Sequence, residues 1–204
     1  HGQLNAQKYS PLDQITADNF SDLELVWRMK TDNFGSQPEY NFEGTPLMVD
    51  GVVYTTAGTR RAVVALDAAT GNVVWNTKVA NPLDGYSLTA APLVVHDLVI
   101  TGIAGGEVGI RGFVDAYDAK TGARRWRTYM IPGEGEPEND TWDGDSWKTG
   151  GASTWQTGAY DPALNLVYWG VGNPGPDWNG ETRMGDNLYS DSVVAMDGDT
   201  GEIR

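Results

Sequence analysis

The sequence predicts an all-β protein of the β-propeller class, and two observations support that prediction. A β-hairpin followed by the pattern Ala-x-Asp-x-x-Thr-Gly-x-x-x-Trp occurs three times, at about residues 45–75, 91–126 and 164–204. No segment shows a sustained helical period of apolar residues. Repeats of about 40 to 50 residues with four short strands each are typical of propeller blades. A chain of 204 residues supplies about four blades, so we expect one incomplete propeller domain over residues 1–204.

The hairpins follow from β-branched runs joined by turn residues. The clearest is TPLMVDGVVYTT, in which Asp50-Gly51 accepts the positive φ angles of a tight turn. In APLVVHDLVITG the pair His96-Asp97 takes the same position, and LNLVYWGVG followed by SVVAMDGDTGEIR forms the third copy. A further strand is predicted upstream, at Leu23 to Met29. The third copy reaches Arg204 one position before the expected Trp, so we interpret the chain as a fragment of a larger ring.

The repeated Asp, Thr and Trp residues are interpreted as structural. The Asp and Thr of each turn can bond local backbone, and the Trp is expected to lie flat between neighbouring blades. The set comprises Asp67, Asp118, Thr70, Thr121, Trp75 and Trp126. Asp197-Gly198-Asp199 resembles the opening of a calcium loop. Because it falls on the same repeated turn, the structural interpretation is preferred.

Composition excludes several function classes. The net charge of −14, with only 14 Lys and Arg, argues against nucleic-acid binding. No window reaches the apolar length of a membrane span. The absence of cysteine excludes disulfides, thiolate zinc sites and cysteine nucleophiles. With His1 and His96 as the only histidines, histidine metal sites and Ser-His-Asp chemistry are disfavoured.

The stretch from Asp140 to Gly180 is unusually rich in tryptophan, with five of the eight. Bulky flat rings among glycines favour stacking, either on each other in a core or on a flat ligand. Composition alone leaves both readings open.

Several motifs in the second half resemble the quinoprotein alcohol dehydrogenases. They are GIAGGEVGIRGFVDAYDAKTG, IPGEGEP, WKTGGASTWQTGAYDPALNLVYWGVGNPGPDWNG and RMGDNLYSDSVVAMDGDTG, and the similarity runs from about Gln7 to Arg204. The resemblance implies an eight-bladed periplasmic propeller that oxidises alcohols with pyrroloquinoline quinone (PQQ) and a bound calcium or lanthanide. It also implies a small alcohol substrate and a cytochrome c-type electron acceptor.

The resemblance assigns two metal ligands and several cofactor contacts. Glu107 matches the family's carboxylate ligand and Asn173 its amide-oxygen ligand, a donor set that suits a hard cation. Trp155 matches the tryptophan on which the planar quinone stacks. The other matching cofactor positions are Glu43, Thr89, Gly105, Gly106 and Ser153. No cofactor contact is assigned to Trp142, Trp147, Trp169 and Trp178, which are expected in the core or at blade interfaces.

The sequence also departs from the family pattern. The family's catalytic aspartate lies beyond the last matched motif, so no residue of this chain is assigned as the base. Most of one blade, which carries adjacent cysteines and an arginine in the family, is absent between about Ala69 and Val79. Ala104 stands where many members have serine.

Two other functions remain alternatives to a segment of an alcohol dehydrogenase that is inactive alone. One is a non-catalytic propeller that binds proteins, as assembly-factor propellers do. The other is a carbohydrate-binding or glycosidase module, motivated by tryptophans near Asp143, Asp145 and Asp177. That module would need paired carboxylates roughly 5 to 9 Å apart.

Overall fold

A computed structural model describes residues 13–29, 44–57 and 62–204 of the chain. The regular structure in these ranges is all β, apart from short 3-10 helices. The strands are β1 (Leu47–Val49), β2 (Val52–Ala57), β3 (Ala62–Asp67), β4 (Val73–Lys78), β5 (Leu93–Val95), β6 (Leu98–Gly102), β7 (Phe113–Asp118), β8 (Arg124–Tyr129), β9 (Ala159–Asp161), β10 (Leu166–Val171) and β11 (Ser192–Asp197). The 3-10 helices are Phe20–Asp22, Pro82–Asp84, Gly106–Val108, Asn139–Thr141, Ser146–Thr149 and Gly180–Thr182.

The strands form three separate antiparallel sheets. Their orders are β1-β2-β3-β4, β5-β6-β7-β8 and β11-β10-β9, with sequential strands adjacent in each. Ile203 makes a further antiparallel bridge to Met196 at the open side of β11. Each sequence repeat contributes most of one sheet, although β9 precedes the third repeat and β4 and β8 extend past the ends of the first two. The predicted all-β architecture of successive propeller blades is confirmed.

The repeated turn is held by its aspartate, as the sequence predicts. Asp67 Oδ1 accepts hydrogen bonds from Thr70 N at 2.8 Å and from Thr70 Oγ1 at 2.7 Å. Asp118 and Asp197 make the same contacts in the later sheets. The Thr70 hydroxyl and the turn amides stabilise the carboxylate and lower the pKa of Asp67 below its usual value. The structural interpretation of these turns is confirmed.

Tryptophans join each sheet to the next by lying on a turn glycine. A Cβ atom at Gly122 would lie 2.6 Å from Trp75 Cδ2, and one at Gly201 would lie 2.6 Å from Trp126 Cδ2. Only glycine therefore allows the indole to lie this close to the turn. Trp75 Nε1 also donates to Ala119 O at 2.9 Å. These contacts confirm that Trp75 and Trp126 lie between blades.

A third docking tryptophan was not predicted as such. Trp27 lies against Gly71, where a Cβ atom would be 2.6 Å from Trp27 Cδ2, and its Nε1 donates to Ala68 O at 2.8 Å. The predicted strand over residues 23–29 is wrong, because the structure assigns no regular element there. Leu25 and Val26 are 73% and 77% exposed, so the apolar residues of this stretch do not line a sheet face.

Two apolar cores fill the spaces between sheets. One contains Trp126, Trp142 and Trp169, with side chains from the second and third sheets. The other, which contains Trp75, joins the first and second sheets. Strand β7 contributes to both because its first five residues are all buried. The second sheet is thus held on both sides, which fixes the loops at its ends.

The middle sheet also contains a buried ionic network. Asp115 is fully buried, and Arg127 donates to its two carboxylate oxygens at 2.6 and 2.7 Å. The Tyr117 hydroxyl donates to the same carboxylate at 2.5 Å. Burial, together with the nearby Asp115 charge, raises the pKa of Tyr117 well above its usual value. All members are paired, so the network rigidifies the sheet.

The unassigned tryptophans divide into two groups. Trp142 and Trp169 are buried and Trp147 packs against the same core, as expected. The expectation for Trp178 is wrong, because this side chain is 99% exposed. It follows the GNPGP turn, which directs it into solvent instead of towards a sheet.

Within the described ranges, no helix has the length and apolar character needed to cross a membrane.

Candidate functional site

Three loops from the second and third sheets meet at one place. The first follows β6 and carries Glu107, the second runs through Gly151 to Trp155, and the third follows β10 and carries Asn173. Backbone hydrogen bonds connect the second loop to its neighbours: Gly151 N donates to Ile110 O at 2.8 Å and Ala152 N donates to Asn173 O at 3.0 Å. The predicted site residues of these loops, separated in sequence, are therefore brought together.

Glycines allow the loops to approach this closely. A Cβ atom at Gly151 would lie 3.1 Å from Asn173 O and 3.4 Å from Gly106 O. A Cβ atom at Gly175 would lie 3.2 Å from Gly106 O. The backbones that carry the two predicted metal ligands are thus in contact through Gly151 and Gly175. A larger residue at either position would push the loops apart.

Glu107 projects from a single 3-10 turn, Gly106–Val108. The turn is bounded by Gly105 and Gly109, whose φ angles of 115° and 77° favour glycine. The Glu107 side chain is exposed, and its carboxylate has no partner among the residues that the structure describes. It is an ionisable oxygen donor with free coordination capacity.

Asn173 follows β10 and is also exposed. Its Nδ2 donates to Asp177 Oδ1 at 2.6 Å and to Pro174 O at 3.3 Å. Its own backbone carbonyl is occupied by the amide of Ala152. The side-chain oxygen Oδ1 is the atom of this residue that remains available to a ligand within the described part of the chain.

Trp155 lies at the edge of the same site and is 50% exposed. Its backbone carbonyl accepts a hydrogen bond from Thr89 Oγ1 at 3.1 Å. Both residues line an open groove of about 450 Å³, together with Thr45, Ala90, Ala91, Gln156 and Thr157. The predicted stacking tryptophan and the predicted contact Thr89 are therefore neighbours on one groove.

Ser153 occupies the interior of the site and is 5% exposed. Its Oγ lies beside two glycines, because a Cβ atom would be 3.2 Å from it at Gly106 and 2.9 Å from it at Gly172. Ala104 pairs with Ser87 through two backbone hydrogen bonds of 2.8 and 2.9 Å. Ser153 therefore touches the loops of both predicted metal ligands. Glu43, the remaining predicted contact, lies outside the described residues.

Two supporting residues were missed by the sequence analysis. The buried Thr154 hydroxyl donates to Phe113 O at 2.5 Å and accepts from Ile103 N at 2.8 Å. It anchors the segment between Ser153 and Trp155 to the second sheet. The only sequence signal for this role was its position in GGASTW between two assigned residues.

Arg111 is the second supporting residue. Its guanidinium lies 4.0 Å from the ring centre of Tyr129 and donates to Ile131 O at 2.9 Å. Burial lowers the pKa of Arg111, and an ion pair with Glu136 at 3.2 Å holds the charge. The backbone of Arg111 bridges to Gly151, so the stacked arginine braces the middle loop of the site.

Within 13–29, 44–57 and 62–204, no three His, Cys, Asp or Glu side chains form a metal-binding group. The two predicted metal ligands are the carboxylate of Glu107 and the amide of Asn173. They would not form such a group, because it requires three His, Cys, Asp or Glu side chains. The adjoining loops carry one exposed carboxylate and one exposed amide, and the half-exposed Trp155 ends the middle loop. Carboxylate and amide oxygens are ligands that suit a hard cation.

The fold is a propeller in which loops of successive sheets meet at one place. The model of the family described as "PQQ: Glucose/ethanol/alcohol dehydrogenase, beta-propeller domain" matches residues 1–85 and 80–204. The chain belongs to this PQQ-dependent dehydrogenase propeller family.

Similar proteins are named as alcohol and methanol dehydrogenases. The quinoprotein alcohol dehydrogenase PedH of Pseudomonas putida is 34% identical over 265 residues, covering 98% of this chain and 44% of PedH. Subunit 1 of the methanol dehydrogenase [cytochrome c] of Methylobacterium organophilum is 42% identical over 166 residues, covering 71% of this chain and 26% of the subunit. The solved structure of a europium-containing methanol dehydrogenase superposes with a TM-score of 0.73 at 39% identity, covering 78% of this chain and 31% of the enzyme.

The chain spans less than half the length of these relatives. It is also shorter internally. The PedH alignment extends over 265 residues, whereas 98% of 204 residues is about 200, so about 65 residues of PedH have no counterpart here. This total exceeds the 40 to 50 residues of one blade, and the absence of most of a blade between about Ala69 and Val79 stays a prediction.

Proposed function

We propose that this chain forms the floor and one wall of the PQQ site of an alcohol dehydrogenase that oxidises alcohols to aldehydes. The observation that carries the proposal is the meeting of the Glu107, Ser153 and Asn173 loops, together with the half-exposed Trp155 two residues after Ser153 in the middle loop. The family membership supports the class of reaction, and the loop geometry supports the location of the proposed site.

The groove beside Trp155 fits a planar ligand. The indole is half exposed although the other tryptophans of this region, apart from Trp178, pack in the core. A flat, electron-poor ring gains from offset stacking on such an indole by about 0.5–1.5 kcal/mol beyond its buried area. The backbone of Trp155 is held by Thr89 and Thr154, so the ring is presented from a rigid segment.

The donor chemistry also fits the cation. Glu107 offers a carboxylate and Asn173 an amide oxygen, both hard ligands of the kind that calcium and lanthanides take. Both side chains are exposed on adjoining loops. A site with two protein ligands leaves positions open for ligand oxygens, as expected for a cation that works together with a bound cofactor.

In the proposed mechanism the chain binds and orients. Trp155 provides the stacking surface, and Glu107 and Asn173 hold the cation against the cofactor. When bound, PQQ supplies the hydride-accepting carbon and the cation acts as a Lewis acid on its carbonyl. The buried Ser153 excludes water from the meeting point of the loops and offers a hydroxyl within it. No residue of this chain is assigned as the general base.

The wider setting is part of the same proposal. The whole protein would act in the periplasm on a small alcohol and pass electrons to a cytochrome c-type acceptor. The resemblance is the basis for this setting, and the name of the related methanol dehydrogenase [cytochrome c] subunit supports the electron acceptor. We expect this chain to show no turnover with alcohol and an artificial acceptor.

Tryptophan fluorescence during titration with PQQ and calcium tests the proposal. Wild-type fluorescence should be quenched, and Trp155→Ala should weaken binding at least about tenfold because the stacking surface is lost. Glu107→Gln should remove the calcium dependence while leaving weak PQQ binding.

Two matched controls accompany these variants. Trp178→Ala removes another exposed tryptophan, and Glu134→Gln neutralises another exposed glutamate; both should bind as wild type. Absence of quenching in wild type, or equal binding by wild type and Trp155→Ala, would favour the non-catalytic scaffold instead.

A further inference from the structure

We infer that Asp177 is a positioning residue that locks the side-chain amide of Asn173 with its oxygen turned towards the cation. The inference rests on the proposed function of the Glu107–Asn173 site. It adds a residue to which neither the family resemblance nor the donor set assigned a role.

The locking follows from the partners of Asn173 Nδ2. This nitrogen lies 2.6 Å from Asp177 Oδ1 and 3.3 Å from Pro174 O. An ionised carboxylate and a carbonyl can only accept hydrogen bonds. The amide must therefore place its nitrogen, which has two donor hydrogens, on the side of Asp177. Rotating the amide by half a turn would set Oδ1 against two other oxygens.

The orientation matters because a cation binds only one end of the amide. The oxygen of Asn173 carries the lone pairs, whereas its NH₂ group presents partial positive charge and repels a cation. Because Nδ2 donates to Asp177, Oδ1 is held at the other end of the planar amide group, away from the Asp177 carboxylate. A contact to a charged acceptor is among the stronger hydrogen bonds in proteins, so it selects one of the two amide orientations.

The position of Asp177 is itself fixed by the turn around it. Gly175 N donates to Gly150 O at 2.8 Å, which ties the turn to the middle loop of the site. On the other side, Asn179 Oδ1 accepts from Glu181 N at 3.1 Å and caps the following 3-10 helix. Asp177 lies between these two anchors. Its carboxylate is thus presented by a held segment, although it is exposed.

Calorimetric titration of lanthanum chloride into the full chain with PQQ, corrected for PQQ alone, measures the effect. Residues that orient a metal ligand typically contribute 10- to 100-fold to affinity, so Asp177→Ala should bind lanthanum about 10- to 100-fold more weakly. Asp177→Asn should stay within about threefold of wild type, because its amide oxygen can accept the same hydrogen bond. Glu181→Gln, which removes one charge from the same loop, should behave as wild type.

A cation-free measurement separates positioning from ligand binding. In the ¹⁵N spectrum of the protein without metal, the side-chain NH₂ of Asn173 should shift and exchange faster in Asp177→Ala than in wild type or Asp177→Asn. Unchanged Asn173 signals in Asp177→Ala would overturn the inference.

The binding data distinguish the remaining outcomes. Equal lanthanum affinity of wild type and Asp177→Ala would overturn the positioning role alone. Equal losses in Asp177→Asn and Asp177→Ala would overturn it in favour of a direct charge contribution. If wild type bound lanthanum no better than Glu107→Gln, the proposed cation site itself would be wrong.

Discussion

Trp75 lies on strand β4 and Trp155 lies in the middle loop of the site, and the surroundings of these two tryptophans differ completely. Trp75 is 7% exposed, lies on Gly122 and donates its indole hydrogen to Ala119 O. Trp155 is 50% exposed, and the contact that holds it is made by its backbone carbonyl with Thr89. The ring of Trp75 packs between two blades, whereas the ring of Trp155 is accessible to a ligand.

The difference teaches that the repeat position and the exposure of a tryptophan have to be considered together. Trp75 and Trp126 stand four residues after a Thr-Gly turn pair, and each docks on the glycine of the next turn. Trp142 and Trp169 stand outside that register but are buried in the core. Trp155 stands outside the register and lines an open groove, which makes it a candidate ligand surface.

Replacing Trp75 and Trp155 with alanine should give the largest difference in the free energy of unfolding. We expect Trp75→Ala to lower the free energy of unfolding by about 3–5 kcal/mol, because a buried ring and a blade contact are lost. Trp155→Ala should change it by less than about 0.5 kcal/mol, as for an exposed residue outside the core. Urea denaturation followed by circular dichroism measures both. Comparable destabilisation by the two variants would contradict the contrast.

Substitution of Gly122, the glycine under Trp75, should lower the free energy of unfolding almost as much as Trp75→Ala. Gly122 has a φ of 72°, and an added Cβ would meet the indole at 2.6 Å. We expect Gly122→Ala to cost about 3–4 kcal/mol, since left-handed strain of about 1–2 kcal/mol adds to overpacking. Gly135→Ala is the matched control, because Gly135 has a φ of 80° with nothing within 4 Å of a Cβ. The urea midpoint of Gly135→Ala should fall only by the effect of left-handed strain. Equal falls for Gly122→Ala and Gly135→Ala would rule out a steric role for Trp75.

A smaller effect should separate the two docking tryptophans. Trp126 Nε1 is buried without a hydrogen-bond partner in the described part of the chain, whereas Trp75 Nε1 is paired. Trp75→Phe should therefore be more destabilising than Trp126→Phe by about 1 kcal/mol, the net value of one hydrogen bond. Thermal unfolding of the two variants, compared at equal pH, tests the difference. The reverse order would show that the indole hydrogen of Trp75 contributes nothing.

The smallest effect concerns the partly buried turn aspartates at these joints. Hydrogen bonds from Thr121 lower the pKa of Asp118 in the folded state. The stabilisation is therefore complete above the unfolded pKa of about 4 and is lost as pH falls through the lower, folded pKa. Asp118→Asn should flatten the fall in the urea midpoint between pH 5 and pH 2. A fall as steep as that of wild type would contradict the prediction.

The strands were predictable because local chemistry determines them. Asp50 and Gly51 adopt φ angles of 48° and 77° between two β-branched runs, as the hairpin pattern requires. The same reasoning gave a wrong prediction for Leu23 to Met29. This stretch contains strand-forming residues, but Leu25 is exposed and Trp27 docks through its ring instead of pairing in a strand. Trp178 misled it too, since a turn residue has no periodicity from which burial can be inferred.

The site was predictable only through family resemblance. Glu107 and Asn173 lie on different sheets, and no local spacing rule brings their loops together. Asp177 received no role towards the cation, since its contact with Asn173 depends on how the GNPGP turn folds back. The position of Glu43 stays a prediction, because that residue lies outside the described ranges.

The glycines at the meeting point of the three loops limit which substitutions this protein can accept. Gly106, Gly151 and Gly172 each face a neighbouring atom at 3.2 Å or less from the place where a Cβ would stand. A saturation library should therefore show almost no accepted replacements at these positions. Adaptation to new ligands would have to proceed through the exposed rim of the groove, where Gln156 offers a side chain that can change freely.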